Sequence, residues 1–269
     1  PWLDPARLPR TDARTVKARD GLPIRAYVTA MPGASGPRPL VMMPHGGPEV
    51  RDGIEFDVLV QSLAAQGWVV VQPNFRGSYG YGRAFAAAGW KQWGRRMQED
   101  LDDTIDDLVA AGIADPKRVA IVGASYGGYP ALAGAAFTPD RYRAAVSIAG
   151  IANIVDILQK DRVDYGRDSS LAKRETERVG DVSSERAELE RWSPSEHAAN
   201  VRIPILLVHG TRDDVVPYLQ TQLMQSRLKS AGKSVQVIEF RTEGHRDWSP
   251  ASEAKLAADV VTFLRPHLK

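Results

Sequence analysis

The chain has 269 residues, of which 43% are apolar and 25% charged, with a formal net charge of +2. That fits one large globular domain and excludes the clustered basic surface that nucleic acid or an anionic membrane needs. It contains no cysteine, so disulfides, thiolate metal sites and cysteine nucleophiles are excluded together and the compartment is left open.

The chain opens Pro1-Trp2-Leu3-Asp4-Pro5, without an initiator Met or a basic-then-apolar leader, and reads as a processed form or a segment of something longer. Residues 1–13 are expected to be a connector and 14–269 one domain. Short apolar runs then alternate with longer helical segments, the pattern of a mainly parallel sheet with helices on both faces. Residues 14–30 read as antiparallel edge strands turning at Asp20-Gly21, and 40–43 as a short buried strand ending at Pro44-His45-Gly46-Gly47-Pro48. A helix over 55–66 and a strand over 68–72 follow. Residues 76–82 are glycine-rich but lack the Lys-Ser/Thr of a phosphate loop and do not match the dinucleotide fingerprint. A structured loop beside a pocket fits them better.

Residues 99–111 form a helix with Leu101, Ile105 and Leu108 at helical spacing. Asp102, Asp103, Asp106 and Asp107 between them read as a solvated face, since no His or second ligand cluster marks a metal site. Strands are expected over 119–123, 144–148, 203–208 and 235–240, and helices over 127–137, 218–231 and 249–267, the last with Ser249 as N-cap before Pro250. The stretch 144–158 is the most apolar but carries Asn153 and Asp156 and is too short to span a bilayer. Residues 160–192 are highly charged without a sustained apolar period, and are expected to form a helical excursion outside the sheet, part of a pocket roof.

The strongest chemical signal is Gly123-Ala124-Ser125-Tyr126-Gly127, a G-x-S-x-G pattern between a strand and a helix. This is the nucleophile elbow of an α/β-hydrolase fold: a strained turn lifts the serine hydroxyl clear of the sheet, and the flanking glycines avoid clashes a Cβ would make. A serine needs an adjacent base. Of the five histidines, His245 follows the last strand and precedes the last helix, where this fold supplies its base. His267 and His197 read as surface or structural, and His45 and His209 as strand-end residues near the site's rim. The acid should come from a strand end between the serine and the histidine, and Asp213 or Asp214 could serve. Oxyanion donors are expected from the N–H of Tyr126 and from the loop after an early strand, with Gly47 preferred and Gly46 beside it.

In order along the chain, His45-Gly46-Gly47-Pro48, the segment 74–82, Gly123 to Gly128, the segment 209–217 and Gly244-His245 resemble the catalytic domain of the prolyl oligopeptidase family of serine peptidases, its acylaminoacyl-peptidase branch above all. The resemblance implies Asp213 as the acid, a short peptide or acyl-peptide substrate, and no metal or organic cofactor. It also implies an N-terminal β-propeller outside this chain, with residues 1–5 resembling the connector that follows it. Branches that cut after proline or release dipeptides use an oxyanion tyrosine where this chain has His45, which favours two backbone donors here. Their aromatic pocket is unmatched after Ala149-Gly150, so an aliphatic pocket of Ile154, Ile157 and Val215 is expected. A carboxylesterase on the same scaffold, or a hydrolase fold kept only for binding, are the rival readings.

Overall fold

The computed structural model describes residues 8–269 except Ala34. Eight strands form one sheet: β1 (Arg10–Lys17), β2 (Pro23–Ala30), β3 (Arg38–Met42), β4 (Val69–Asn74), β5 (Ala114–Ala124), β6 (Ala144–Ile148), β7 (Ile205–Gly210) and β8 (Val235–Phe240), in the order β1-β2-β4-β3-β5-β6-β7-β8. The β1–β2 and β2–β4 pairs are antiparallel and the remaining pairs parallel. Among the described residues no helix is long and apolar enough to cross a membrane. The opening Pro1 to Pro5 lies outside the described residues.

Strand alternation sorts the core into two layers. Leu40, Met42, Val69, Val71 and Ile121 point to one face, and Val41, Val70, Ala120 and Val122 to the other. The first face is covered by α3 (Arg96–Ala110), α4 (Gly128–Phe137) and α8 (Leu219–Ser230), through Leu101, Ile105, Leu108, Leu132, Met224 and Leu228. The second is covered by α1 (Val58–Ala64) and α9 (Pro250–Leu264), through Val60, Leu63, Val260, Phe263 and Leu264. Each of these large side chains contributes about 1.5–3 kcal/mol by leaving water. The predicted cap of α9 is present, the Ser249 hydroxyl accepting from the Ser252 N–H at 3.2 Å.

Two expectations are corrected. β1 begins at Arg10, not at residue 14, because Arg10 pairs with Ala30 and the ladder runs the full length of β2. Residues 10–13 are mostly exposed, so this edge strand is held by its partner's backbone rather than by an apolar alternation of its own. The acidic face of α3 is not simply solvated. Arg19 donates to Asp103 at 2.8 and 2.9 Å, Arg14 pairs with Asp107, and Arg141 lies 2.8 Å from Asp106 and 3.4 Å from Asp102. These acids dock the edge hairpin and the β6 approach onto the helix. Asp100, fully buried on the same helix, holds Arg76 through Nε at 2.9 Å and Nη2 at 2.6 Å, while Asp20 of the β1–β2 turn takes the other side of that guanidinium.

Between β6 and β7 the chain leaves the sheet for α5 (Ile154–Tyr165), α6 (Ser170–Arg178) and α7 (Arg186–Arg191), the charged excursion expected from sequence. The loops at the carboxyl ends of β3, β4, β5, β7 and β8 collect beneath it, the usual site of chemistry in such sheets.

Candidate active site

Ser125 follows β5 in a left-handed conformation, φ +57°. That is strained for a residue with a Cβ and persists only where surrounding structure imposes it. The imposing structure is backbone packed on backbone. A Cβ on Gly123 would lie 2.1 Å from Gly127 O, and one on Gly127 would lie 2.1 Å from Pro44 O. Gly128 and Gly150 meet in the same way, a Cβ on Gly128 falling 2.6 Å from Gly150 Cα. Strand, turn and the β3 loop therefore interlock, with the N-terminus of α4 directly behind the serine, where it favours developing negative charge.

Ser125, His245 and Asp213 are brought into one hydrogen-bonded chain. His245 Nε2 is 3.0 Å from Ser125 Oγ and Nδ1 is 2.7 Å from Asp213 Oδ2. A carboxylate only accepts, so Nδ1 carries the hydrogen and Nε2 is free to accept from the serine hydroxyl. Asp213 Oδ1 accepts the N–H groups of Val215 at 2.9 Å and Val216 at 2.8 Å. Burial pushes this carboxyl up, but hydrogen bonds from His209, His245 and the Val216 backbone outweigh it and hold it well below the usual carboxylate range. Of the two aspartates left open by the sequence, Asp213 is the one that meets His245, and Asp214 is exposed. The His245 loop rests against the end of β7, where a Cβ on Gly210 would fall 2.5 Å from Glu243 O and where Arg212 N–H donates to that carbonyl at 3.0 Å.

Gly46 lies against the nucleophile, a Cβ there falling 3.3 Å from Ala124 O and 3.4 Å from Ser125 Cβ. Gly47 has φ +102° and lines the same cavity as Ser125 and Tyr126. His45 anchors this loop from below. Its ring stacks on Phe75 at 4.3 Å, its Nδ1 lies 2.8 Å from Gly46 O, and its Nε2 lies 2.8 Å from Ser78 Oγ. Burial drops its pKa to about 4, so the ring is neutral at neutral pH. His197 packs edge-on against Phe137, with Nε2 2.8 Å from Arg191 O.

A cavity of about 560 Å³ opens on Ser125. Ile157 and Val215 line it, but Ile154 does not: it is 1% exposed, the first residue of α5, and packed into the core. Nor is the pocket chiefly aliphatic. Trp90, Trp93, Met97 and Tyr126 line it, with Trp93 edge-on to Tyr126 at 4.6 Å. The two tryptophans come from the turn between α2 (Arg83–Ala87) and α3, and Tyr126 from the elbow itself, all far from the segment after Gly150. The signal that could have found them is glycine: a Cβ on Gly89 would lie 2.5 Å from Gly77 Cα, and one on Gly94 2.6 Å from Tyr129 Oη. These close approaches pin the tryptophan turn to the glycine-rich loop and to α4.

The roof supplies Leu171, Arg174, Glu175 and Arg178. Burial and the neighbouring Asp161 push the Glu175 carboxyl up to about 8. Arg178 reaches across the cavity to Glu49, two residues after Gly47, and lies 3.1 Å from Tyr79 Oη. Among the described residues no group of three or more His, Asp or Glu side chains is placed to hold a metal ion.

Residues 54–269 match the family model described as the prolyl oligopeptidase family. Dipeptidyl aminopeptidase BIII of Pseudoxanthomonas mexicana is 31% identical over 97% of this chain and 38% of its own length. A puromycin-hydrolyzing peptidase of Mycobacterium tuberculosis superposes with a TM-score of 0.89 at 28% identity, over 99% of this chain and 40% of that one. The Pyrococcus horikoshii acylaminoacyl peptidase superposes with a TM-score of 0.87 at 26% identity, over 97% and 42%. The chain thus spans about two fifths of the length of these relatives.

Proposed function

The chain belongs to the prolyl oligopeptidase family and has its α/β-hydrolase fold, and from that premise we propose that it is a serine peptidase domain that hydrolyses short peptides or acylated peptides through an acyl-enzyme at Ser125. The observation that carries the reading is the unbroken chain from Asp213 through His245 to Ser125, opening on a cavity of about 560 Å³.

In this reading Ser125 Oγ attacks the substrate carbonyl carbon while His245 Nε2 takes the hydroxyl proton, and the imidazolium so formed is stabilised by Asp213. The oxyanion is received by the N–H groups of Tyr126 and Gly47. His245 then protonates the leaving amine, which departs, and water attacks the acyl-enzyme by the same route. Trp93, Tyr126, Met97, Ile157 and Val215 suit an apolar side chain next to the scissile bond, aromatic as readily as aliphatic. The family's propeller, where it precedes this domain in the whole protein, would restrict the cavity to short substrates.

An esterase would use the same residues, so the test compares matched leaving groups. The quantity to measure is kcat/KM for N-acetyl-leucine and N-acetyl-phenylalanine p-nitroanilides and their p-nitrophenyl esters, with Ser125→Ala as control. Cleavage of the anilides is expected, and kcat should fall by about 10⁴-fold or more in Ser125→Ala. Activity on the esters alone would favour the esterase. Retention of more than a few per cent of turnover by Ser125→Ala would remove Ser125 from the mechanism.

A further inference from the structure

His209 is the most deeply buried histidine of the chain, 0% exposed, and the reaction as described leaves it without a task. It stands at the end of β7 (Ile205–Gly210), four residues before Asp213, and its ring is held on every side. Nε2 is 2.9 Å from Val216 O and 3.2 Å from Asp213 Oδ2. Nδ1 is 2.8 Å from Thr221 Oγ1 in the first turn of α8. Tyr218 meets the ring edge-on at 5.6 Å.

Those contacts fix the hydrogen positions. Val216 O and the Asp213 carboxylate are both acceptors, so Nε2 carries a hydrogen shared between them, and the Thr221 hydroxyl, able to donate, satisfies Nδ1. Asp213 Oδ2 therefore receives two imidazole N–H groups, one from His245 at 2.7 Å and one from His209 at 3.2 Å. Oδ1 meanwhile receives two backbone N–H groups. All four approaches constrain the rotation of the carboxylate, and only the His245 approach is on the route to Ser125.

We propose that His209 is a positioning residue for the reaction, a second imidazole that orients Asp213 and draws charge from the oxygen facing His245, with Thr221 setting its tautomer. The inference rests on the Ser125–His245–Asp213 reading and adds a role that reading does not require. Its physical content is a balance. A carboxylate oxygen that serves His245 alone gives that hydrogen bond its full charge and stabilises the imidazolium most. A second donor on the same oxygen takes part of that charge, while its rigid ring keeps the carboxylate plane in line. Tyr218 does not disturb the balance near neutrality, because burial and its hydrogen bond to Glu239 push its hydroxyl up to about 12.

The pH profile of kcat/KM tests this, because its acid limb reports the base of the free enzyme. Groups facing the pair are few: Asp213 and His245 themselves, Tyr218 with Glu239 from β8 (Val235–Phe240), and Arg246 beside His245 at the cavity wall. In His209→Phe, which keeps a ring but no donor, kcat at the optimum should fall about tenfold with KM unchanged, and the acid limb should move up by about one pH unit. His209→Gln returns a donor near the Nε2 position and should restore both. Should His209→Phe fail to fold, Thr221→Val, which removes only the hydroxyl, should move the limb in the same direction by less. A folded His209→Phe or Thr221→Val with the parent's kcat and limb overturns the proposal. So does a loss of kcat with the limb unmoved, the mark of a ring that merely fills space. Failure of the underlying triad reading shows separately, as an active Ser125→Ala.

Discussion

The elbow beneath the cavity and the roof above it are built on opposite principles. Around Ser125 the fit is made by what is missing: Gly123, Gly127, Gly128 and Gly150 let backbone touch backbone, and the strained serine is held without relying on side-chain charge. In the roof, α5 and α6 are capped by the side chains of Asn153 and Ser169, and the segment is tied by ions, such as Lys91 to Glu185 at 2.9 Å and Arg162 to Asp181 at 3.2 Å. Backbone packing is steep in distance and fixes the reacting atoms. Partly exposed ion pairs are worth little each and hold a surface that can change without disturbing them.

The sharpest way to break the comparison is Gly127→Ala. Its new Cβ would fall on Pro44 O, a backbone atom with no room to retreat, and the move would displace the loop carrying Gly47. A loss of about 3 kcal/mol in denaturant unfolding is expected, with turnover lost as well. An unchanged midpoint would mean the elbow is looser than its contacts state.

Glu175→Gln sharpens the roof side through pH. With its carboxyl raised from 4.5 to about 8, the folded chain binds more protons than the unfolded one between those values, so stability falls as pH rises across that window. The amide removes the effect. Urea midpoints of the two chains should be close at pH 5 and diverge in favour of the variant by pH 8.5. Parallel curves would show that Glu175 ionises freely. The smallest effect is expected from Arg178→Ala, which breaks the strap to Glu49 at a cost of about 1 kcal/mol or less. A loss as large as that of Gly127→Ala would erase the distinction between elbow and roof.

The same contrast explains what could be read in one dimension. Strands, covering helices and the strand-to-helix turn at Ser125 are marked by apolar periods and by glycines, which are local signals. The Ser125–His245 approach spans 120 residues, yet both ends sit at junctions that the order of strands and helices makes visible. Trp90 and Trp93 have no apolar period to mark them: they lie in a turn, and the contacts of Gly89 with Gly77 and of Gly94 with Tyr129, which show where that turn goes, exist only in three dimensions. Ile154 is expected in the pocket from its place in the segment after Ala149-Gly150, where the resembling branches have their aromatic pocket, but the first turn of α5 turns it into the core. The arginines that answer Asp102, Asp103, Asp106 and Asp107 of α3 come from positions 14, 19 and 141, beyond the reach of any helical spacing rule.

The order of strands also says where this molecule can be divided. Similarity to the family model begins at residue 54, but β3 ends at Met42 and lies between β4 and β5, in the middle of the sheet. A fragment cut at residue 54 would open a gap between those two strands. It would strip Asp20 from Arg76 and take Gly46 and Gly47 away with the missing piece. The match is thus shorter than the sheet, and a cut anywhere within β1, from Arg10 to Lys17, would take backbone partners from β2.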